Sequence, residues 1–138
     1  MNWLYWALLS ALFAGLTAVL AKVGVRDVDS NLATAIRTVV ILLFAWPIAL
    51  ATNSQPLDAI PGRTWLFLVL SGLATGLSWL CYFRALQLGD ASKVAPVDKL
   101  SVVIAIAFAA LFLREQLTWQ HYLGGALIVS GAVVLAWK

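Results

Sequence analysis

The chain has 138 residues, of which 63% are hydrophobic and 11% charged. A soluble domain of this size has no surface for so much apolar material, so the composition specifies an integral membrane protein. The net charge of +3 resides mostly on basic residues at the ends of apolar segments, where they read as topology anchors and lipid contacts.

No basic patch interleaved with aromatics lies on a polar surface, which argues against nucleic-acid partners. One cysteine, Cys81, and one histidine, His121, make neither an internal disulfide nor a Cys/His metal cluster. Nothing resembles a Ser/His/Asp constellation or a phosphate-binding loop, so no catalysis and no cofactor are expected. No Lys or Arg precedes the first apolar run, which therefore lacks a signal-peptide n-region and is expected to remain as a span.

Five spans are predicted, over 3–23, 31–51, 64–88, 94–113 and 118–137. The expected fold is an all-α integral membrane protein, with 1–138 as a single five-helix transmembrane domain. Short connections make consecutive helices antiparallel neighbours. The third helix is expected to stop at Gly89. The fourth span is the unusual one. Its uncharged run, 100–113, gives about 21 Å of helix at ~1.5 Å per residue, short of a hydrocarbon core of about 30 Å. Crossing requires a start near Val94, which draws Asp98 and Lys99 toward the membrane, where charges face a partner, a bundle interior or a watery cavity.

An odd number of spans puts the termini on opposite faces. The N-terminal face, side A, carries Arg63 and Arg114; side B carries Lys22, Arg26, Arg84, Lys93 and Lys138. By the positive-inside rule side B is cytoplasmic, but without Lys22 and Arg84 at their helix ends the bias shrinks to three against two. Trp3, Tyr5, Trp6, Trp46, Trp65, Trp119 and Tyr122 fall near side A as an interfacial belt. Trp79 and Tyr82 are spaced to line a cavity from the third span, with lipid contact or packing as the alternative. Gly72 and Gly76 form a GxxxG pair, and Gly124 and Gly131 share a face of the last span; such spacing suits close helix packing.

Followed across the bilayer, Lys22, Arg37, Arg84, Asp98 and Lys99 reach similar depth near side B. The functional reading is a polar cavity or gate with Asp98 as a protonatable or ion-pairing switch, its excess cations favouring an anionic or zwitterionic solute. The alternative has Lys22 and Arg84 snorkelling to phosphates and Asp98 neutralising Arg37 or a neighbour. A third reading makes Pro96 the first helical residue and Asp98 a dipole-stabilising N3 carboxylate. Adjacent helical residues diverge by about 100°, so Asp98 and Lys99 are not expected simply to neutralise each other. His121 is expected at the side A interface, and Glu115 to begin or cap the last helix, with a loop contact as the alternative.

The order of these elements resembles a known family. Val94-Ala95-Pro96 opens one span, Leu113-Arg114-Glu115 forms a turn, and Gly124-Gly125-Ala126-Leu127-Ile128 is followed by Gly131. These features are similar to the C-terminal part of an EamA-type repeat of the drug/metabolite transporter superfamily. Ala18-Val19-Leu20-Ala21-Lys22-Val23-Gly24, Ile36-Arg37-Thr38 and Val97-Asp98-Lys99-Leu100-Ser101 resemble its single-repeat members. The family turn usually reads Leu-Gly-Glu, and here Arg114 stands in the glycine position. The resemblance implies one repeat of an inverted-repeat transporter that works by alternating access. Its partners are then the lipid bilayer, a small-molecule substrate and a second copy in a homodimer, with antiparallel insertion the natural arrangement. The polar positions it carries over are Lys22, Arg37, Asp98 and Lys99. It further implies a secondary transporter, an exporter or exchanger of a small polar metabolite, in the plasma membrane (the inner membrane in a bacterium). Two other readings stay open: a cation/proton antiporter of the small multidrug resistance type, although the first span has no carboxylate, and a non-transporting membrane assembly subunit.

Overall fold

A computed structural model describes residues 2–52 and 56–137. It contains helices α1 (Trp3–Gly24), α2 (Ser30–Thr52), α3 (Gly62–Leu88), α4 (Ala91–Asp98), α5 (Leu100–Phe112) and α6 (Trp119–Ala136), with a 3₁₀ turn at Leu57–Ala59. Five helical stretches, counting α4 and α5 together as Ala91–Phe112, are long and apolar enough to cross a bilayer. The protein is an all-α, five-span integral membrane protein. Lys138 of the side B charge count and residues 53–55 of the second connection lie outside the described residues.

The helices group into two compact units, 1–23 with 88–138, and 24–87. In the second, the chain between α1 and α2 is fastened to the end of α3. Gln87 Nε2 donates to the carbonyls of Val28 at 3.0 Å and Val25 at 3.4 Å, and Arg84 donates to Gln87 Oε1 at 2.7 Å. The buried residues of this unit, Val25, Ser30, Thr34, Phe83 and Leu86, lie at the same end. Asp29 starts α2, its Oδ1 accepting from the backbone N–H of Asn31 at 2.9 Å and Leu32 at 3.0 Å. Hydroxyls inside the spans bond back along their own helix: Thr34 to the Ser30 carbonyl and Thr38 to the Thr34 carbonyl, each at 2.8 Å. This satisfies a donor where no water is at hand.

In the first unit, α4 and α5 both pack on α6. Gly125 and Ala132, seven residues apart and both buried, form the inner stripe of α6. A Cβ at Gly125 would meet Val103 at 3.9 Å. The glycines expected to pack, Gly72, Gly76, Gly124 and Gly131, have nothing within 4 Å of such a Cβ, so this chain leaves them uncovered. The belt aromatics Trp3, Tyr5, Trp6, Trp119 and Tyr122 are each more than 60% exposed, as ring contacts to lipid require.

The fourth span departs from expectation. It begins at Ala91, not near Val94, and Pro96 lies inside α4 rather than at its first position, so Asp98 is not an N3 carboxylate. Proline removes an N–H and crowds the carbonyl four residues before it, here that of Ser92. The helix tightens and breaks three residues on. Lys99 N–H is shared between the carbonyls of Ala95 at 3.3 Å and Pro96 at 3.1 Å, and Val102 N–H reaches Lys99 O at 3.0 Å in a 3₁₀-type bond. The α3 helix stops at Leu88, before Gly89, as expected, but no described glycine takes a positive φ.

The left-handed residue is Arg114, at φ 55°. It reverses the chain after α5, so that the N–H of Glu115 returns to the Ala109 carbonyl at 3.2 Å. Nor does Glu115 cap α6. Thr118 does: His121 Nδ1 accepts from the Thr118 N–H at 3.1 Å and lies 2.9 Å from its hydroxyl, in a capping box.

Arg114→Gly removes a left-handed penalty of about 1 kcal/mol and is expected to raise the melting temperature in detergent, whereas Arg114→Val lowers it. Pro96→Ala restores an N–H within reach of the Ser92 carbonyl. It should slow amide exchange over 96–100 and stabilise the protein by up to about 3 kcal/mol; unchanged exchange there would mean that another residue sets the break.

Candidate functional site

Each unit carries one polar device inside a span. In the unit of 24–87 it is built on facing helices. Arg37, eighth in α2, sets its guanidinium over the Trp79 ring of α3, 4.3 Å from the centroid, and 5.5 Å from the Phe83 centroid. Trp79 and Phe83 are four apart and so share a face of α3. The π-faces carry negative quadrupole charge, and a contact of this kind is worth about 0.5–2 kcal/mol depending on desolvation. Phe83 is buried, while Arg37 and Trp79 are half-buried. Among the described residues no carboxylate forms an ion pair with Arg37.

Sequence reasoning paired Trp79 with Tyr82. The structure sets Trp79 and Phe83 under the cation, and Tyr82, edge-on to Phe83 with centroids 6.5 Å apart, also interacts electrostatically with Arg37. Both spacings, three and four, are compatible with one helical face, so the spacing alone did not choose between the pairs.

In the unit containing α4 to α6, the break presents Asp98 and Lys99 together. Lys99 Nζ lies 3.5 Å from Asp98 Oδ2. The expectation that these neighbours do not neutralise each other fails, because the angular argument holds for an intact helix and Lys99 sits in the interruption, at φ −68° and ψ −9°. Their side chains are 34% and 55% exposed for Asp98 and Lys99. The pair therefore carries no net charge into the span, yet both ends remain open to exchange.

Lys22 has a third arrangement. Its Nζ donates to the Gly89 carbonyl at 2.7 Å, tying the end of α1 to the turn before α4. The charges expected to act as one cluster thus have separate local partners: ring faces, an adjacent carboxylate and a backbone carbonyl. A cleft of about 220 Å³ also lies between α5 and α6, lined by apolar residues such as Val103, Ile106 and Val129, with His121 at its edge. His121 is already engaged in the α6 cap.

Comparison with known proteins supplies the family. The EamA-like transporter family matches residues 1–137. A Sinorhizobium protein named as an uncharacterized transporter in the cobO 3′ region is 60% identical over 136 residues, 98% of this chain and 96% of its own. A probable 4-amino-4-deoxy-L-arabinose-phosphoundecaprenol flippase subunit ArnE of Yersinia pseudotuberculosis is 31% identical over 83 residues, 60% of this chain and 73% of its own. An uncharacterized protein of Methanocaldococcus jannaschii is 31% identical over 70 residues, 51% of each chain. No solved structure matches. With five helices long and apolar enough to cross a membrane and a family model that matches residues 1–137, the chain belongs to the EamA-like transporter family.

Proposed function

We propose that this protein is a secondary transporter, an exporter or exchanger of a small polar metabolite, and works by alternating access as an antiparallel homodimer in the plasma membrane. The observation that carries the reading is the interruption of the fourth span at Lys99, with the Asp98–Lys99 pair exposed at it. Transporters use discontinuous helices in this way, because an unwound turn frees backbone groups and moves two helical arms about a fixed point. Asp98 has the chemistry of a switch: its carboxylate can hold Lys99, accept a proton or release Lys99 to a solute.

One five-span repeat supports half of such a machine. A second copy inserted upside down would supply the other half, and the small imbalance of basic residues between the two faces is compatible with dual insertion. The uncovered glycines of α3 and α6 offer close approach to a neighbouring helix. The ArnE relative is named as a flippase subunit, which favours a second arrangement in which the partner is a different chain and the cargo is lipid-linked.

Single cysteines replacing Asp27 and Asp58, in a Cys81→Ser background, separate these arrangements when labelled from outside intact cells. Dual insertion predicts labelling of each site in about half of the molecules. Labelling of one site alone removes the antiparallel homodimer and turns the search to an oppositely inserted partner. For any solute that proteoliposomes accumulate, Asp98→Asn is expected to cut uptake at least about tenfold with the yield of dimer unchanged. Uptake at the wild-type rate would take Asp98 out of the mechanism.

A further inference from the structure

Among the described residues, the charge of Arg37 is met by ring faces rather than by a carboxylate. Its guanidinium lies over Trp79 and Phe83, and ring faces accept no N–H···O bond. Among the described residues it has no ion-pair partner, and the polar group that acts on it electrostatically is the Tyr82 phenol. The acids of the same unit lie in its connections: Asp27 and Asp29 before α2, and Asp58 in the turn before α3. Asp29 is already committed to the start of α2. A guanidinium presents five donors in a planar fork that matches carboxylate and phosphate oxygens two at a time.

Depth argues against a simple snorkelling role. Arg37 lies seven residues beyond Ser30, about 10 Å along α2 at the usual helical rise. Gln87 fastens the end of α3 to the chain just before α2, so the same end of both helices serves as a common origin. From there Phe83 lies about 6 Å along α3 and Trp79 about 12 Å. A snorkelling guanidinium would be drawn back toward Phe83. It lies nearer the deeper ring, 4.3 Å from Trp79 against 5.5 Å from Phe83. The cation thus lies beside the ring that is further from the helix end.

We propose that Arg37 is an oxyanion-binding residue, and that the ligand carries a phosphate or carboxylate group that takes the guanidinium fork while Trp79 and Phe83 hold its face. The inference rests on the transporter reading above and deepens it, giving the class of group that the solute presents. In the empty site the rings hold the cation in place without consuming its donors. When the oxyanion arrives, the fork is already positioned and no competing carboxylate has to be displaced. The same chemistry can come from a soluble anion or from a lipid headgroup.

The test uses the purified full chain in phosphatidylcholine nanodiscs, titrated with inorganic phosphate or acetate against chloride at matched ionic strength. Tryptophan emission and melting temperature are followed together, because an oxyanion on the fork alters the field at the Trp79 ring. The expected result is a saturable response that Arg37→Gln weakens at least about tenfold, the worth of a charge-assisted hydrogen bond. Arg37→Lys keeps the charge but loses the fork, gives a weaker response than wild type, and serves if the glutamine variant does not fold. Arg63→Gln, which removes a guanidinium over the Phe67 ring near the other end of α3, leaves the response unchanged. Replacing phosphatidylcholine by phosphatidylglycerol without added anion tests the lipid source; an Arg37-dependent shift in that arm alone makes the ligand a headgroup, and a shift in the soluble-anion arm makes it a solute. The proposal is overturned if neither arm gives a response that both Arg37 variants weaken. The cysteine-labelling result does not involve Arg37, so the transporter reading and the oxyanion inference can fail separately.

Discussion

Everything in this chain is arranged around the cost of leaving a polar group without a partner in a medium that offers none. Unsatisfied backbone and hydroxyl groups cost several kcal/mol in hydrocarbon, which is why the described residues within the spans are helical and why Thr34 and Thr38 bond back along α2. The longer polar side chains solve the same problem between elements. Gln87 takes the carbonyls of the α1–α2 connection, Lys22 takes the carbonyl of Gly89, and Arg37 takes two rings. Hydrophobic burial contributes little by comparison: lipid tails are as apolar as leucine, and most large apolar side chains remain exposed on the helix surfaces.

The fourth span is where the rule is relaxed. Pro96 cannot donate, the turn at Lys99 shares one N–H between two carbonyls, and a carboxylate and an ammonium occupy the interruption. The cost is contained, because the pair is neutral overall and because α4 and α5 are both braced against α6.

Much of the fold was legible because it depends on composition and run length. The spans, their short connections and the end of α3 before Gly89 follow from where apolar runs stop. What was not legible depends on backbone detail at single residues. Asp98 and Lys99 were separated by an argument valid for an intact helix, and Pro96 spoiled its premise. Thr118 rather than Glu115 begins α6, since a cap is decided by which oxygen or nitrogen can fold back on the first turn, and His121 completed a capping box whose usual third position is Glu or Gln. Trp79 and Arg37 were both singled out, but their meeting required the rotation of α2 against α3, which a pattern nearly apolar all round does not encode. Arg114 was singled out as a departure from the glycine of the family turn that this segment resembles, but its conformation was not read from the sequence; it takes the left-handed one that glycine adopts freely.

The bond from Lys22 to Gly89 spans 67 residues of sequence, and that separation bears on how the chain is made. At about 5–20 residues per second, Gly89 is synthesised some 3–13 seconds after Lys22. The Gln87 bond to Val28, across 59 residues, waits almost as long. Throughout that interval the first two helices must be held in the bilayer by their own length and by the interfacial preferences of their ends. The arrival of the last turns of α3 then closes both bonds within a few residues of each other. Synthesis of the third helix is thus the moment at which the first half of the protein acquires its tertiary hydrogen bonds, and a nascent chain cut short before Gln87 would leave the membrane with spans but no repeat.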